Sequence, residues 1–366
     1  MCMHKILIVV DAPGPADSIK PVIPLLREKA EVLLVTVKDS PYEILKEFNP
    51  TRCDGEEGAD AIYHSFNPDI LFVTTSSLVL GPFVVPAFTR LAHEDHKPII
   101  CFQDYWANHR NLNNFEMMKY WDVVLAQDEL AKKFLEEDCY SKKIVITGNP
   151  ALDILRTIDV PTTRARARRE LAISDSDFLL TYIGRGTPQS IAEDEITFKY
   201  ILEALGEMPE PPLLAIRPHP RDENPSKYSV IAREFGDRGN LKFLFPEITK
   251  KIAINDLVAS SDAVIGMDST SHIHAIYLRI PAICVLLPDA GAKRLEKVRL
   301  TDFPPNEVGA SIGIYKNNPQ DLIDTIERLR SDSDYRASLR SAQEKHFPLP
   351  RISSAENISQ IILGIK

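Results

Sequence analysis

The sequence contains no run approaching the ~20 apolar residues that a membrane-spanning helix needs, no CxxC pair, no GxGxxG fingerprint and no excess of basic residues. Each absence excludes a class. The five cysteines, at positions 2, 53, 101, 139 and 284, have no framework or metal-ligand spacing, which argues against a disulfide scaffold and a zinc site and fits a reducing compartment. Lys and Arg number 43 against 52 Asp and Glu, a formal charge of -9. A general nucleic-acid binder would instead show a basic stripe to meet phosphate, although a local anion pocket remains open to this chain. No low-complexity tract appears, and 44% hydrophobic with 26% charged residues is ordinary globular composition. The N-terminus enters the strand-like run HKILIVV within a few residues without an apolar leader, so the expected location is cytoplasmic.

At 366 residues the chain can bury two cores, and two domains are expected. Short β-branched runs alternate with helical periodicity: KILIVV, AEVLLVTV, DILFVTT, KPIICF, DVVLAQ and KIVITG, then, after residue 175, DFLLTYIG, PLLAIRPH, LKFLFP, DAVIGM, AICVLL and ASIGIY. Continuous apolar strands alternating with helices predict parallel sheets covered on both faces. The segment DILRTIDVPTTRARARRELAISDSDF has no strand pattern and reads as the interdomain crossing. Its RARARRE patch, Arg164 to Glu170, is read as the solvated face of a linker helix and is given no role. The closing RISSAENISQIILGIK begins with a capping serine and places Ile358, Ile361 and Ile362 at helical spacing. The expectation is α/β: residues 1–157 as one Rossmann-like domain, 176–350 as a second facing it across a cleft, and 351–366 as a helix returning to the first. Doubly wound sheets bind ligands at the carboxyl ends of their strands, so the loops after strands are where chemistry is sought.

The first such loop is DAPGPADSIKPVIPLL. Gly14 would allow a tight turn before a helix whose free N–H groups suit an anion; a plain strand-to-helix turn reads equally well. After KPIICF comes QDYWANHRN, with Asp104 just past the strand and Tyr105 and Trp106 beside it. An apolar environment could raise the carboxyl pKa and make Asp104 a general base, with aromatic faces for a sugar ring. The competing reading is an Asp that caps the next helix while Trp106 fills the core.

In the second half, LLTYIGRGTPQS places Gly184 and Gly186 around Arg185, a flexible turn that can approach phosphate. LLAIRPHPRDENP gathers Arg217, His219 and Arg221 after a buried strand, between stiffening prolines. The most polar strand exit is VIGMDSTSHIHAIY. Here Asp268, Ser269, Thr270 and Ser271 open a helix, and hydroxyls plus a helix N-terminus make an anion site. A simple cap would need one hydroxyl rather than three. His274, on the first turns of that helix, reads by itself as a packing residue.

Taken in order, ITGNPALDIL, RPHP and DSTSHIHAIYLRIP resemble GT-B nucleotide-sugar enzymes, and among them UDP-N-acetylglucosamine 2-epimerases and related glycosyltransferases. The resemblance spans nearly the whole chain. WDVVLAQDELAKKFLEEDCYSKKIVITGNPALD is similar to the stretch leading into the family's TGN-x-x-x-D signature. GPADSIKPVIPLL is similar to the epimerases' first loop, and RISSAENISQII to the closing helix of the fold. It implies a donor nucleotide held by the second domain, with Arg217, His219 and the hydroxyls of Ser269 and Thr270 on its phosphates and the Gly184–Gly186 loop closing over them. It also implies that Asp104 stands where epimerases carry a catalytic glutamate, and His274 where transferases carry a ribose-binding one.

The sequence departs from the epimerase pattern at DSTSHIHA, where epimerases have DSGG-x-x-EE. It departs again at Arg279 and Ile280 before Pro281, where glycine is usual, and at Ser76 and Ser77, where an acid is expected. The expected function is therefore a glycosyltransferase that moves a sugar from a nucleotide donor to an unknown acceptor. A UDP-N-acetylglucosamine 2-epimerase-like isomerase or hydrolase is one alternative, and a non-catalytic nucleotide-binding module the other. The nucleotide-sugar is UDP-linked or CMP/CDP-linked and enters as substrate. No cofactor or metal is called for, and the oligomeric state is left open.

Overall fold

The computed structural model describes residues 3–75, 84–185, 191–220, 222, 224–236, 240–297 and 299–365. The chain divides into two compact units, Met1–Ile154 with Leu349–Lys366, and Leu155–Pro348. The first contains β1 (Lys5–Val10), β2 (Glu31–Thr36), β3 (Thr51–Arg52), β4 (Ile70–Thr74), β5 (Ile99–Gln103), β6 (Val123–Ala126) and β7 (Lys143–Ile146), in the order β3-β2-β1-β4-β5-β6-β7. The second contains β8 (Leu179–Ile183), β9 (Leu213–Arg217), β10 (Lys242–Leu244), β11 (Ala263–Gly266), β12 (Ala282–Val285) and β13 (Ile312–Ile314), in the order β10-β9-β8-β11-β12-β13. All twelve apolar runs form strands. The two-residue β3 has no such run; it is exposed and exists through its pairing of Thr51 and Arg52 with Val35 and Thr36.

Described strand pairs are parallel, for example Ile6 with Ile70 and Leu180 with Ala263. Strands β4, β5, β8 and β11 are buried along their whole length, because helices cover both faces and leave no solvated face to encode an alternation. In each sheet the strand order reverses once, between β1 and β4 and between β8 and β11. At such a reversal the connections leave in opposite directions and open a crevice at the carboxyl ends.

The terminal helix Ser354–Leu363 belongs to the first unit, where Ala355, Ile358 and Ile362 join Ile8, Phe72 and Phe102 in one core. Its N-terminus is held by Asp153, the acid of the TGN-x-x-x-D signature. That carboxylate accepts from Ser353 Oγ (2.8 Å), Ser354 Oγ (2.8 Å), Ser354 N (3.1 Å) and Ala355 N (3.2 Å). A negative charge receiving the free N–H groups of a helix start is the favourable sense of the helix dipole. Gly148 of the same signature has φ +80°, and a Cβ there would strike Ser354 Oγ. The signature thus works as a chain clamp.

The RARARRE patch is a solvated face only in part: Ala165, Arg166, Arg169 and Glu170 are exposed. Arg168, on the helix Val160–Glu170, is 1% exposed and bonds Asp262 Oδ2 at 2.6 Å and the carbonyls of Ser260, Ser174 and Asp177. Arg164 takes the other Asp262 oxygen at 2.7 Å. Composition alone made the run look like surface, but two arginines reach the chain ends at the starts of β8 and β11, where carbonyls and a carboxylate need donors. Among the described residues no helix is long and apolar enough to cross a membrane.

Replacing Asp153 by Ala removes four hydrogen bonds to one carboxylate, and a stability loss of roughly 2–4 kcal/mol is expected. Denaturant unfolding measures it, and amide exchange at Ile358 and Ile362 should accelerate first. Unchanged protection there would show that the apolar face alone anchors the helix.

Candidate functional site

In the first unit, polar groups collect at the β1/β4 reversal. Asp104 follows β5, one strand further on, and is partly buried. Its Oδ1 accepts from Thr75 Oγ1 at 3.0 Å and Asn108 Nδ2 at 2.9 Å, while its main-chain oxygen accepts from Asn149 Nδ2 at 3.3 Å. Burial raises its pKa to about 6 against the pull of those donors, and the Asp11 charge at the end of β1 adds to the rise. A carboxyl with this pKa is ionised at neutral pH yet close enough to it to take and return a proton.

Gly14 is not the pivot of a turn. It lies in the helix Pro13–Ile19, and a Cβ on it would sit 3.1 Å from Asp104 Oδ2. Glycine there gives the free side of the carboxylate room. Asp104 caps no helix either: the two that follow it, Asn108–Arg110 and Leu112–Met118, start at Ala107 and Asn111 without a side-chain cap. Trp106 is fully buried and donates to Asp128 at 2.7 Å, so it offers no face to a sugar. Its indole N–H needed a buried acceptor, and packing took the ring inward.

In the second unit the β8/β11 reversal brings together Gly184, Arg185 and the Asp268–Ser271 turn. Gly266 ends β11 where a Cβ would come within 2.5 Å of the Ile183 carbonyl and 3.2 Å of His272 Cε1, so the two strand exits touch. Asp268 is buried and ion-paired with Arg185 Nη1. The Arg185 main-chain N–H donates to Asp194 Oδ2 at 3.2 Å. Beneath Gly184, the Tyr228 hydroxyl sits between the carboxyl groups of Asp194 and Asp222. Burial raises the pKa of Asp194, while Asp222 is held low by hydrogen bonds from Asn224 N, Lys227 and Tyr228 that outweigh its desolvation. These residues tie the Arg185 backbone to the core.

The helix Thr270–Tyr277 starts at Ser269 in extended backbone, and no side chain caps it. The Ser269 hydroxyl instead lies 2.9 Å from Nδ1 of His272, whose Nε2 is 3.3 Å from the Ile283 carbonyl. Thr270 is exposed and Ser271 half-buried. The His274 Nδ1 donates to Asn255 Oδ1 at 2.7 Å, as a satisfied packing histidine would, and this leaves Nε2 as an acceptor. Burial depresses the pKa of both imidazoles to about 4, so both are neutral.

Arg217 is turned to main-chain carbonyls, those of Thr249 and of Ile252 at 3.1 Å. A guanidinium beside the C-terminus of a short helix meets carbonyls that have no helical partner. His219 is half-buried one turn before Asp222, whose N–H donates to its carbonyl at 3.0 Å. Gly186, Arg221, Ser76 and Ser77 lie outside the described residues.

Several members of these networks carry no signal in the sequence. Asp194, Asp222 and Tyr228 are brought together by packing across the unit, and His272 becomes informative only beside Ile283. Asn108 could have been read, since it lies four residues after Asp104 in a segment already singled out.

Neither a protein-family model nor a curated protein sequence matches the chain. Solved structures do. A UDP-GlcNAc 2-epimerase from Neisseria meningitidis bound to UDP-GlcNAc is 14% identical, with 99% of this chain and 100% of that one covered and a TM-score of 0.64. A glycosyltransferase from Rickettsia africae is 15% identical over 100% of both chains, at 0.62. MurG from Acinetobacter baumannii is 10% identical over 99% and 100%, at 0.66. The likeness establishes the fold, the GT-B type with two α/β domains, as the sequence resemblance implied.

A folded-state pKa for Asp104 above its unfolded value means that the folded protein holds a proton the unfolded chain has released. Stability is therefore greatest below pH 4 for this group and declines as pH rises to about 6. Asp104→Asn should raise stability at pH 7 by up to about 3 kcal/mol, the equivalent of the carboxyl's rise to about 6, with no gain near pH 3. Thermal unfolding at the two pH values checks the sign; a loss at pH 7 would show that the charge is stabilising.

Proposed function

We propose that this chain is a nucleotide-sugar-dependent glycosyltransferase. The observation that carries the reading is the uncapped helix Thr270–Tyr277 at the reversal point of the second sheet: three hydroxyls stand at its start and none caps it. The His272 N–H is taken by the Ser269 carbonyl at 3.0 Å, but the N–H groups of Thr270 and Ser271, at the positive end of the helix dipole, suit a donor diphosphate, and the hydroxyls of the same two residues add donors. Arg185, held by Asp268, keeps a guanidinium at the same strand edge, and His219 supplies a further donor. Arg217, committed to carbonyls, braces the loop that carries His219. His274 Nε2 serves as acceptor for a ribose hydroxyl, the task an acid performs in related transferases. Further support comes from the fold shared with solved nucleotide-sugar enzymes.

Asp104 is the base in this reading. The acceptor hydroxyl attacks the anomeric carbon, its proton passes to the Asp104 carboxylate, and the bond from that carbon to the phosphate oxygen breaks with its electron pair. The nucleotide leaves with the added negative charge, which the helix start and Arg185 stabilise. Thr75 and Asn108 hold one carboxylate oxygen, so the other, facing Gly14, receives the proton.

Turnover of a panel of UDP-, CDP- and CMP-sugars should be found for one member, with kcat/KM falling below pH 6 as Asp104 protonates. Asp104→Asn should lose about 10²–10⁴ in rate together with that acid limb. Unchanged turnover in Asp104→Asn would remove it from the mechanism. Deuterium entering C2 of UDP-N-acetylglucosamine from heavy water would instead mark epimerisation.

A further inference from the structure

The Ile283 carbonyl can only accept a hydrogen bond, so the His272 Nε2 beside it at 3.3 Å carries the hydrogen. The ring is fully buried and neutral, and a neutral imidazole with hydrogen on Nε2 has a bare lone pair on Nδ1. The Ser269 hydroxyl, 2.9 Å from Nδ1, must then be the donor. Two consequences follow for the turn. The serine oxygen is drawn away from the helix it precedes, which accounts for the missing cap. Its only proton is also committed, so toward a ligand the half-buried Ser269 presents lone pairs alone. An oxygen of that polarity repels phosphate oxygens and attracts O–H or N–H groups.

We propose that His272 is a positioning residue that fixes Ser269 as an obligate acceptor, so that Ser269 reads a hydroxyl or N–H of the nucleoside and leaves the phosphates to the helix N–H groups, Thr270 and Ser271. The proposal rests on the nucleotide reading above and departs from one implication of the sequence resemblance, the placing of Ser269 on phosphate. His272 touches no ligand itself. It acts through Ser269, and Gly266 leaves the space its ring occupies, with a Cβ there only 3.2 Å from Cε1.

The test has one arm free of ligand and one with it. Imidazole nitrogen shifts in ¹⁵N-labelled protein should show His272 neutral with hydrogen on Nε2 at pH 7; hydrogen on Nδ1 would overturn the proposal whatever the protein binds. Calorimetry of Ser269→Ala with UDP and with inorganic pyrophosphate supplies the second arm. UDP affinity should fall roughly three- to tenfold, the worth of one neutral hydrogen bond, while pyrophosphate affinity stays within about twofold because no phosphate donor is lost. Equal losses for both ligands, or no loss for either, would overturn it. His272→Leu frees Ser269 to cap the helix, so pyrophosphate should weaken several-fold and recover in the Ser269→Ala double variant. If the Leu variant does not fold, the first two measurements still decide. If wild type takes up neither ligand and neither CDP nor CMP in their place, the nucleotide reading fails, and the Ser269 assignment falls with it even where the imidazole spectrum is as expected.

Discussion

Each sheet reverses its strand order once, and that constraint organises the rest of the molecule. Parallel strands buried on both faces can carry almost no polarity along their length, so charged and hydroxyl side chains are pushed to the strand exits. Connections diverge where the order reverses, and room remains for those side chains. Asp11, Gly14 and Thr75 follow β1 and β4, with Asp104 after the neighbouring β5; Gly184, Arg185 and Asp268 to Ser271 follow β8 and β11. The polar clusters are what the topology leaves possible.

Within each cluster, partners that can only donate or only accept fix the direction of the hydrogen bonds that matter to the proposed roles. Thr75 and Asn108 settle which oxygen of Asp104 is engaged. The Ile283 carbonyl settles the tautomer of His272 and, through it, the role of Ser269; Asn255 does the same for His274. These partners hold each cluster in one arrangement, which would lower the ordering cost for a ligand that binds there.

The strands were legible because their signal is local: continuous apolar runs state both strand and double-sided burial. The edge strand β3 was not, since its two polar residues pair only because β2 is there. The Arg164–Arg168 patch misled for a related reason. A charge run reads as surface unless the acceptors that bury it are visible, and Asp262 and Ser260 lie over 90 residues away. Residue types at the site could be read from their position after strands, but their polarity could not. Trp106 turned inward to Asp128, Arg217 turned to carbonyls, and Ser269 was claimed by a histidine whose own partner belongs to another strand. The Asp153 clamp shows the converse: a motif recognised by resemblance carried a structural task.

The central claim is that the reversal point of the second sheet holds a nucleotide-linked phosphate. A thermal-shift panel of UDP, CDP, GDP, CMP and their sugars tests it most directly, because a ligand that binds only the folded state at a hundred times its Kd adds about 2.7 kcal/mol of stability. The account predicts that at least one nucleotide raises Tm by several degrees while the matching free nucleoside does not. A panel in which no nucleotide moves Tm, or in which nucleosides move it equally, would contradict it.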